Sequence, residues 1–449
     1  MAAAQKKAKA GDRRRLPLMR SFARIKPAAA DKKGGVASKL CVESWDGEAG
    51  SVSFTPETAG RKAKALTFNH YLRTIAPTDT QEHCYAVVCA PIVEQWLDGT
   101  DADLICYGQT GSGKTHTQFG PPGSMKVALD ALGDNGGSGT IASSGILHEN
   151  HGLILRSGFA ALAAVDAINR TGDGSRAVLH GSMVEMSILS ASSQNAGDLL
   201  ANKKACFVDD KHHLQGAVHL PLQDARALVT MAAAVETRLT RGTKMNNSSS
   251  RSHCITVFTL HVYDGASNCV RSSRLQFFDF MGSERFSGSN SAHGGGSARS
   301  TKAGWEGIYA NYSLLYLGEA VRAATRARRN EKGKVHMGSG GFLNELLSGS
   351  LVGNAITTMI TCLSPSPRNG TESHLSCKYS KEMARMQNDP KQQPSVLYDV
   401  AVKNAKDDLA RSSEIVARGV KGKYQKKRLA EVLGHETTLS ILEQLRRPQ

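Results

Sequence analysis

One eight-residue segment constrains the fold of this chain more than any other part of its sequence. Residues 108–115 read GQTGSGKT and satisfy the phosphate-binding pattern GxxxxGK[ST] at every defined position. The apolar residues 104–107 predict a buried strand directly before it, and the residues after it predict a helix. A strand, a glycine-rich turn and a helix in this order predict a nucleotide-binding α/β domain. The candidate phosphate-binding residues are Gly108, Gln109, Thr110, Gly111, Ser112, Gly113, Lys114 and Thr115.

The residue types in this loop match the chemistry of a bound phosphate. Glycines let the backbone curl so that successive N–H groups point at the phosphate oxygens. The following helix offers its N-terminal dipole to the same anion. Lys114 can place its charge on the β- and γ-phosphates, and the Thr115 hydroxyl can ligate Mg²⁺.

The rest of the chain alternates short apolar runs with helical segments, which predicts an α/β fold. We expect strands at residues 254–263 and 275–280, and helices at residues 160–169, 308–326 and 341–351. Three stretches rich in Gly, Ser and Asn predict mobile surface loops, at residues 120–145, 287–304 and 333–341.

Composition excludes several classes of protein. Of 449 residues, 40% are hydrophobic and 21% charged, so the chain can bury a core and is neither collagen-like nor fully disordered. No run of 18 apolar residues is present, which excludes a predicted membrane span. The net charge of +16 lies mainly at the ends, since residues 1–33 carry +9 and residues 391–449 carry +5.

Cysteines and the N-terminal segment bear on the compartment. The nine cysteines form no CxxC pair and no zinc-type spacing, and their odd number predicts reduced thiols in the cytosol. The basic N-terminus lacks the apolar stretch of a secretory signal. We interpret it as a solvated arm, with a mitochondrial presequence or a nuclear signal at residues 13–15 as alternatives.

Two later segments could sense a γ-phosphate. Residues 246–253 (NNSSSRSH) place hydroxyls, amides and one guanidinium just before a predicted strand. Residues 279–284 (DFMGSE) place an acid at a strand end and a glycine three residues later. In such an arrangement Asp279 can hold the metal's water, and the Gly282 N–H can bond to a γ-phosphate.

Together these motifs resemble the kinesin motor domain. The loop is followed by His116 and Thr117, as in that family. Residues 246–253 resemble its switch I motif NxxSSRSH, and residues 279–284 resemble its switch II motif DLAGSE with the middle pair altered. Residues 24–27, 306–315 and 343–365 resemble further kinesin motifs.

The resemblance implies a fold and a division of the chain. The fold class would be α/β, a P-loop NTPase of kinesin motor type with a central, mostly parallel sheet and helices on both faces. We expect a basic disordered arm at residues 1–17, the motor domain at residues 18–390, and a basic, partly helical extension at residues 391–449.

It also implies cofactors, ATP and Mg²⁺, and roles for individual residues. Arg24, Pro27 and His116 would flank the adenine, while Thr115, Ser250 and a water held by Asp279 would complete the Mg²⁺ shell. Arg251 and Glu284 would form the ion pair that closes the pocket, and Glu284 would relay the proton of the attacking water. The remaining catalytic candidates are Asn246, Ser249 and Gly282.

The side expected to face the filament departs from the family. Kinesins usually read HVPYRDSKLT where residues 335–344 stand here, so Ser339 replaces an Arg and Phe342 replaces a Lys. A basic cluster just upstream is the candidate filament contact: Arg322, Arg326, Arg328, Arg329, Lys332 and Lys334. Such a cluster would speed encounter with acidic tubulin and weaken with salt.

The C-terminal part also departs from the family. Lys391-Gln392-Gln393-Pro394 matches poorly the apolar neck linker that docks along a kinesin core, and no stalk follows. The apolar stripe Leu429, Val432, Leu433, Leu439 and Leu442 is too short for a coiled coil. We therefore expect a monomer unless a partner chain joins it.

The sequence thus predicts a microtubule-stimulated ATPase that couples nucleotide state to filament affinity or movement. The alternative is a nonmotile kinesin-like structural protein on microtubules or an axoneme. The expected partner is tubulin and the expected location the cytoplasmic microtubules, with a cilium or flagellum as the further option. A nucleic-acid-binding NTPase is disfavoured, since no helicase, RNP or zinc pattern is present.

Overall fold

The computed structural model describes residues 19–28, 41–55, 65–133, 147–186, 196–239, 252–283, 314–325, 341–351, 353–366 and 369–446. Among them are the following strands: β1 (Arg20–Ile25), β2 (Val42–Asp46), β3 (Ser51–Phe54), β4 (Leu66–Phe68), β5 (Arg73–Ile75), β6 (Ala102–Tyr107), β7 (Arg176–Met186), β8 (Ala196–Asp198), β9 (Ala205–Val208), β10 (Leu214–Gln215), β11 (Leu220–Pro221), β12 (His253–Asp264), β13 (Cys269–Asp279), β14 (Ile356–Leu363) and β15 (Val396–Leu397).

The helices of the same residues are α1 (Gln81–Cys84), α2 (Ala90–Leu97), α3 (Lys114–Phe119), α4 (Ser124–Ala131), α5 (Leu153–Asn169), α6 (Ala225–Leu239), α7 (residues 314–325), α8 (Phe342–Leu351), α9 (Gly370–Met383), α10 (Tyr398–Ala417) and α11 (Lys423–Arg446). A π-helical turn, Tyr85–Cys89, joins α1 to α2. No helix in the described part of the chain is long and apolar enough to cross a membrane.

One large sheet organises the molecule. Its strands run in the order β10-β9-β8-β7-β12-β13-β6-β14-β1-β5, with β11 beside β7 and β15 beside β13, and β2, β3 and β4 form a small separate sheet. The α/β prediction is confirmed, but the sheet is mixed rather than mostly parallel. Parallel pairing joins β13, β6, β14, β1 and β5, whereas the remaining pairs are antiparallel. The pairing of β12 with β13 has a local cause, because a short turn joins these two strands and they therefore form a hairpin.

Helices cover both faces of this sheet, as predicted. Alternate side chains of a strand point to opposite faces. Leu104 and Phe277 accordingly pack with α2, α3, α5 and α6 on one face, while the adjacent Ile105 and Phe278 pack with α7 and α8 on the other. The carboxyl ends of the parallel strands β6 and β13 therefore emerge together between the two layers.

Most predicted elements are present with shifted bounds. The strand predicted at residues 254–263 extends from His253 to Asp264, and the helix predicted at residues 160–169 begins at Leu153. Residues 314–325 are helical within the predicted helix 308–326, whose other residues lie outside the described ones. The loop 287–304 also lies outside them.

One prediction from composition was wrong over part of its range. The predicted loop at residues 120–145 contains helix α4, whose Met125 and Ala128 are buried, while residues 134–145 lie outside the described ones. In the C-terminal part, the apolar stripe lies on helix α11, and its burial differs along the helix. Leu429 and Leu433 are exposed, whereas Leu442 and Leu445 are buried against the sheet.

Candidate nucleotide-binding site

The glycine-rich loop lies where strand β6 ends. All six residues of β6 are buried, and the chain turns at Gly108 before helix α3 begins at Lys114. Gly108 has φ +149°, and a Cβ at this position would lie 2.3 Å from the carbonyl oxygen of Cys362. Any other residue would therefore push the loop away from β14.

Lys114 is buried within the loop. Its Nζ donates hydrogen bonds to the carbonyl oxygens of Gly108 and Gln109, both at 2.8 Å. The ammonium group is thus held inside the curl of the loop, only 7% of Lys114 being exposed. A cation in this position can bind an anion that enters the loop, because burial reduces its screening by water.

Helix α3 connects the loop to the end of β13. The Thr115 hydroxyl donates a hydrogen bond to Asp279 Oδ2 at 2.7 Å. The other carboxylate oxygen of Asp279, Oδ1, is buried and has no hydrogen-bond partner among the described residues. Hydroxyl and carboxylate oxygens are ligands that Mg²⁺ prefers, directly or through water, so these residues fit the ion that the fold implies.

A buried arginine completes this cluster. Arg238, on α6, donates to Asp279 Oδ2 from Nη1 and to Ser252 Oγ from Nε, both at 2.9 Å. Its Nε also lies 3.8 Å from a carboxylate oxygen of Glu185 on β7. Arg238 therefore links Ser252, which follows Arg251 in the predicted switch I motif, to Asp279 in the predicted switch II motif.

The start of switch II is anchored to the loop. The backbone N–H of Ser283 donates to the carbonyl oxygen of Gly108 at 3.1 Å, one residue after the predicted phosphate sensor Gly282. The Met281 N–H lies 3.3 Å from His253 Nδ1. Burial and the nearby Arg238 lower the pKa of His253 to about 3, so its ring is neutral and Nδ1 can accept this bond.

The end of the site that was predicted to flank adenine is built from β1, α1 and α3. Arg24 Nη1 donates to Gln81 Oε1 at 2.7 Å and to Thr117 Oγ1 at 3.0 Å. Gln81 Nε2 donates in turn to the carbonyl oxygen of His116 at 2.5 Å. Burial, with the charges of Arg24 and Lys26, lowers the pKa of His116, so a neutral imidazole lines this end.

A cavity of about 690 Å³ joins the two ends. It is lined by Arg24, Pro27 and His116, and by the loop from Thr110 to Thr115. The structure therefore brings the predicted adenine-flanking and phosphate-binding residues to one continuous cleft. Lys26, Pro77, Asp79 and Gln81 also line it.

Several predicted residues are not placed by the structure. Those that lie outside the described residues are Asn246, Ser249, Ser250, Arg251 and Glu284 at the site, and Arg326, Arg328, Arg329, Lys332 and Lys334 in the basic cluster. Arg322 is exposed on α7. Phe342, which stands where kinesins usually have a Lys, is fully buried at the start of α8.

Sequence reasoning missed Arg238 and Gln81. The signal for Arg238 was weak, because a single arginine is most often a solvated charge. Only its spacing, 13 residues before Arg251, connects it to the switch. No local pattern predicts that the Gln81 amide bridges Arg24 and His116.

The buried histidine of this site predicts a pH-dependent stability. The pKa of His253 is lowered from 6.5 to about 3, so the folded protein excludes a proton that the unfolded chain accepts below pH 6.5. Stability from this group is complete above pH 6.5 and is lost as the pH falls towards 3. At pH 4.5 the loss is about 3 kcal/mol.

Urea unfolding at pH 7.5 and pH 4.5 measures this loss, and His253→Gln is the comparison. The variant should lose about 3 kcal/mol less than the wild type between the two pH values. Burial raises the pKa of Asp103 to about 7, so this residue contributes to the pH dependence of stability with the opposite sign. Its contribution is the same in both proteins and cancels in the comparison. Equal losses in both proteins would contradict the assignment.

A family model for the kinesin motor domain matches residues 24–386. Among curated proteins, the kinesin-like protein KIN-8A of Oryza sativa subsp. japonica is 27% identical over 362 residues, covering 77% of this chain and 39% of the relative. KIF15 of Homo sapiens is 28% identical over 358 residues, covering 77% of this chain and 23% of the relative. The chain thus spans less than half the length of these two relatives.

Solved structures share the fold. A fast kinesin, described with its ATPase mechanism and interactions with microtubules, superposes with a TM-score of 0.64 at 21% identity, covering 84% of this chain and 94% of that one. A KIF14 dimer in complex with a microtubule, in its two-heads-bound AMP-PNP state, gives a TM-score of 0.65 at 21% identity, covering 84% and 96%.

Proposed function

The chain belongs to the kinesin motor domain family, and we propose that it hydrolyses ATP, binds microtubules and couples the state of the nucleotide to its affinity for the filament. The observation that carries this proposal is a cavity lined by Lys114 and Thr115 together with Arg24 and His116, where Thr115 is hydrogen-bonded to the buried Asp279.

The described residues support the binding half of the reaction. Lys114 and the loop amides would hold the phosphates of ATP, and Arg24, Pro27 and His116 would flank its base. Thr115 and Asp279, with Ser250 from the family resemblance, would hold Mg²⁺. When bound, this ion neutralises phosphate charge and helps the leaving group depart. Arg238 fixes the carboxylate of Asp279 at 2.9 Å and so keeps its orientation towards Thr115.

The hydrolytic half rests on the family resemblance. Arg251 and Glu284 would form the ion pair that closes the site, and Glu284 would accept the proton of the attacking water. Asn246 and Ser249 would orient the closing segment, and Gly282 would report the phosphate. The bond between Ser283 and Gly108 supports this arrangement, because it places the Gly282 backbone beside the loop.

The proposal predicts an ATPase that microtubules stimulate. Phosphate release should rise with microtubule concentration in the wild-type protein and fall by about 100-fold or more in Glu284→Ala, since a positioned general base contributes 10²–10⁴ in rate. Cosedimentation in ATP-analogue, ADP and nucleotide-free states measures the coupling. The affinity should also fall as salt is raised if the basic cluster contacts tubulin. Nucleotide binding without turnover would refute the hydrolytic half.

One observation favours the alternative, a nonmotile protein that binds microtubules. Residues 391–397 lie along the core and do not extend away from it. Backbone hydrogen bonds join Lys391 to Asn354 and Gln393 to Gly99. A filament-gliding assay separates the two candidates. Turnover with gliding supports the motor, and turnover or binding without gliding supports the structural protein.

A further inference from the structure

The residues that follow helix α9 lie along the motor core. Asn388 Nδ2 is within 2.6–2.9 Å of Ser350 O, Ala355 O and Thr357 Oγ1. Farther on, the Gln393 N–H donates to the carbonyl oxygen of Gly99 at 2.8 Å, and Gln392 forms a bridge with Thr100. Strand β15 then pairs antiparallel with the start of β13. Residues 388–397 thus form one docked segment.

This segment has little apolar surface of its own to keep it in place. Lys391, Gln392 and Pro394 are exposed, and Leu397 is 53% exposed. Backbone hydrogen bonds that remain accessible to water add little net stability. Since the apolar neck-linker pattern is missing here, another part of the chain must hold the segment.

Tyr398 provides the first anchor, directly after β15. Its N–H donates to the carbonyl oxygen of Asn268, at the turn between β12 and β13, at 2.9 Å. Its hydroxyl donates to the carbonyl oxygen of Leu442 at 3.0 Å, and the Arg446 guanidinium lies 4.6 Å from its ring centre. One buried side chain therefore joins the docked segment, the sheet and helix α11.

Helix α11 provides the second anchor. Ile441, Leu442 and Leu445 are buried with Val270 on the face of the sheet that also carries α7 and α8. Towards its other end α11 packs on β9 and β10, where a Cβ at Gly434 would lie 2.3 Å from Gln215 Oε1. The helix thus crosses the sheet from β13 to β10 and is fixed at both ends.

We propose that α10 and α11 form an intramolecular clamp that keeps residues 388–397 docked on the core in every nucleotide state. The clamp removes the free segment through which a nucleotide-dependent change could be passed to a partner or a cargo. The clamp proposal rests on the proposed function in one respect, since release of residues 388–397 would be a step in the cycle of an ATP-driven motor.

Hydrogen exchange of the full chain tests the clamp in nucleotide-free, ADP and AMP-PNP states. In the wild type, exchange at the amides of Gln393, Val396 and Tyr398 should differ by less than about threefold between states. Leu445→Glu should accelerate exchange at these amides by about tenfold or more, because it places a charge in the buried contact. Leu433→Glu is the matched control, since it makes the same change on an exposed position of the same helix and should alter exchange by less than about threefold.

Two results would overturn the clamp. One is a wild-type change of about tenfold or more between nucleotide states at residues 393–398, and the other is a Leu445→Glu protein that exchanges like Leu433→Glu. Amides of β6 report whether Leu445→Glu is folded, and Tyr398→Phe, which removes the bond to Leu442, tests the same anchor if it is not. Amides 108–115 report nucleotide binding separately, so a failure of the proposed function is distinguishable. The nucleotide-free comparison of the two Leu variants still decides the clamp in that case.

Discussion

Lys114→Ala is expected to abolish nucleotide binding at micromolar protein concentration. The wild-type ammonium is buried inside the loop, held by the carbonyl oxygens of Gly108 and Gln109 at 2.8 Å, so its charge is available to an entering phosphate with little screening. Removing one partner of a buried charge pair costs about 2–5 kcal/mol. The affinity for a fluorescent ATP analogue should therefore fall by about 30-fold to several thousand-fold.

Lys26→Ala is the matched control for this experiment. Its ammonium also lies at the cavity and donates to the carbonyl oxygen of Gly111 at 3.2 Å, but this bond is exposed to water. An exposed charge of this kind contributes about 0–1 kcal/mol, so the affinity should fall only a few-fold. If the Lys114 and Lys26 variants bind equally well, the loop is not the phosphate site.

The candidate nucleotide site could be located from the sequence because most of its loop residues are adjacent in the chain. Strand β6, the turn and helix α3 occupy 18 consecutive positions from Ala102 to Phe119. Each residue type in the turn has a local physical reason, and Gly108 has no room for a side chain. Asp279 was also predictable, because it follows the apolar residues at the end of β13. Strand β13 pairs in parallel with β6, so Asp279 lies beside the start of the loop.

Features that depend on distant parts of the chain were not predictable. Arg238 reaches Asp279 from a helix 41 residues earlier, and no local pattern marks it as buried. The antiparallel pairing of β7 with β12 joins strands that are far apart in the chain, and composition does not reveal it. The clamp depends on Tyr398 meeting Leu442, and a short apolar stripe in a polar segment does not reveal which surface it covers.

The start of helix α8 shows how a substitution changes the role of a position. Phe342 is fully buried among the residues that pack under α7 and α8. A lysine at this position would have to bury its ammonium group or extend it out of the core. The phenylalanine instead packs in the core and stabilises α8, at a position where kinesins usually have a filament-facing lysine. Under the proposed function, filament affinity would depend more on the basic cluster from Arg322 to Lys334 and would be more sensitive to salt.

Arg238→Met is expected to cause the largest loss of stability among single substitutions at the site. The side chain is fully buried and donates to Asp279 and Ser252, so its removal leaves the Asp279 carboxylate, itself 1% exposed, without its cationic partner. Breaking a buried ion pair in this way costs about 3–5 kcal/mol. Urea unfolding at pH 7.5 should show a reduction of this size.

Two further variants show whether Arg238 serves the site as well as the fold. Arg274→Met breaks an ion pair with Asp101 at 2.7 Å, but the Arg274 side chain is 25% exposed, so the loss of stability should be about 1–2 kcal/mol with nucleotide binding retained.

Arg238→Met combined with Asp279→Asn removes the unpaired charge and should recover part of the stability, because both partners of the ion pair are gone. It should not recover Mg²⁺-dependent nucleotide binding, since the carboxylate expected to hold the ion's water is absent. A combined variant that binds nucleotide with wild-type Mg²⁺ dependence would show that the Arg238–Asp279 pair is structural only. An Arg238→Met protein within about 1 kcal/mol of the wild type would show that this pair contributes as little as an exposed one.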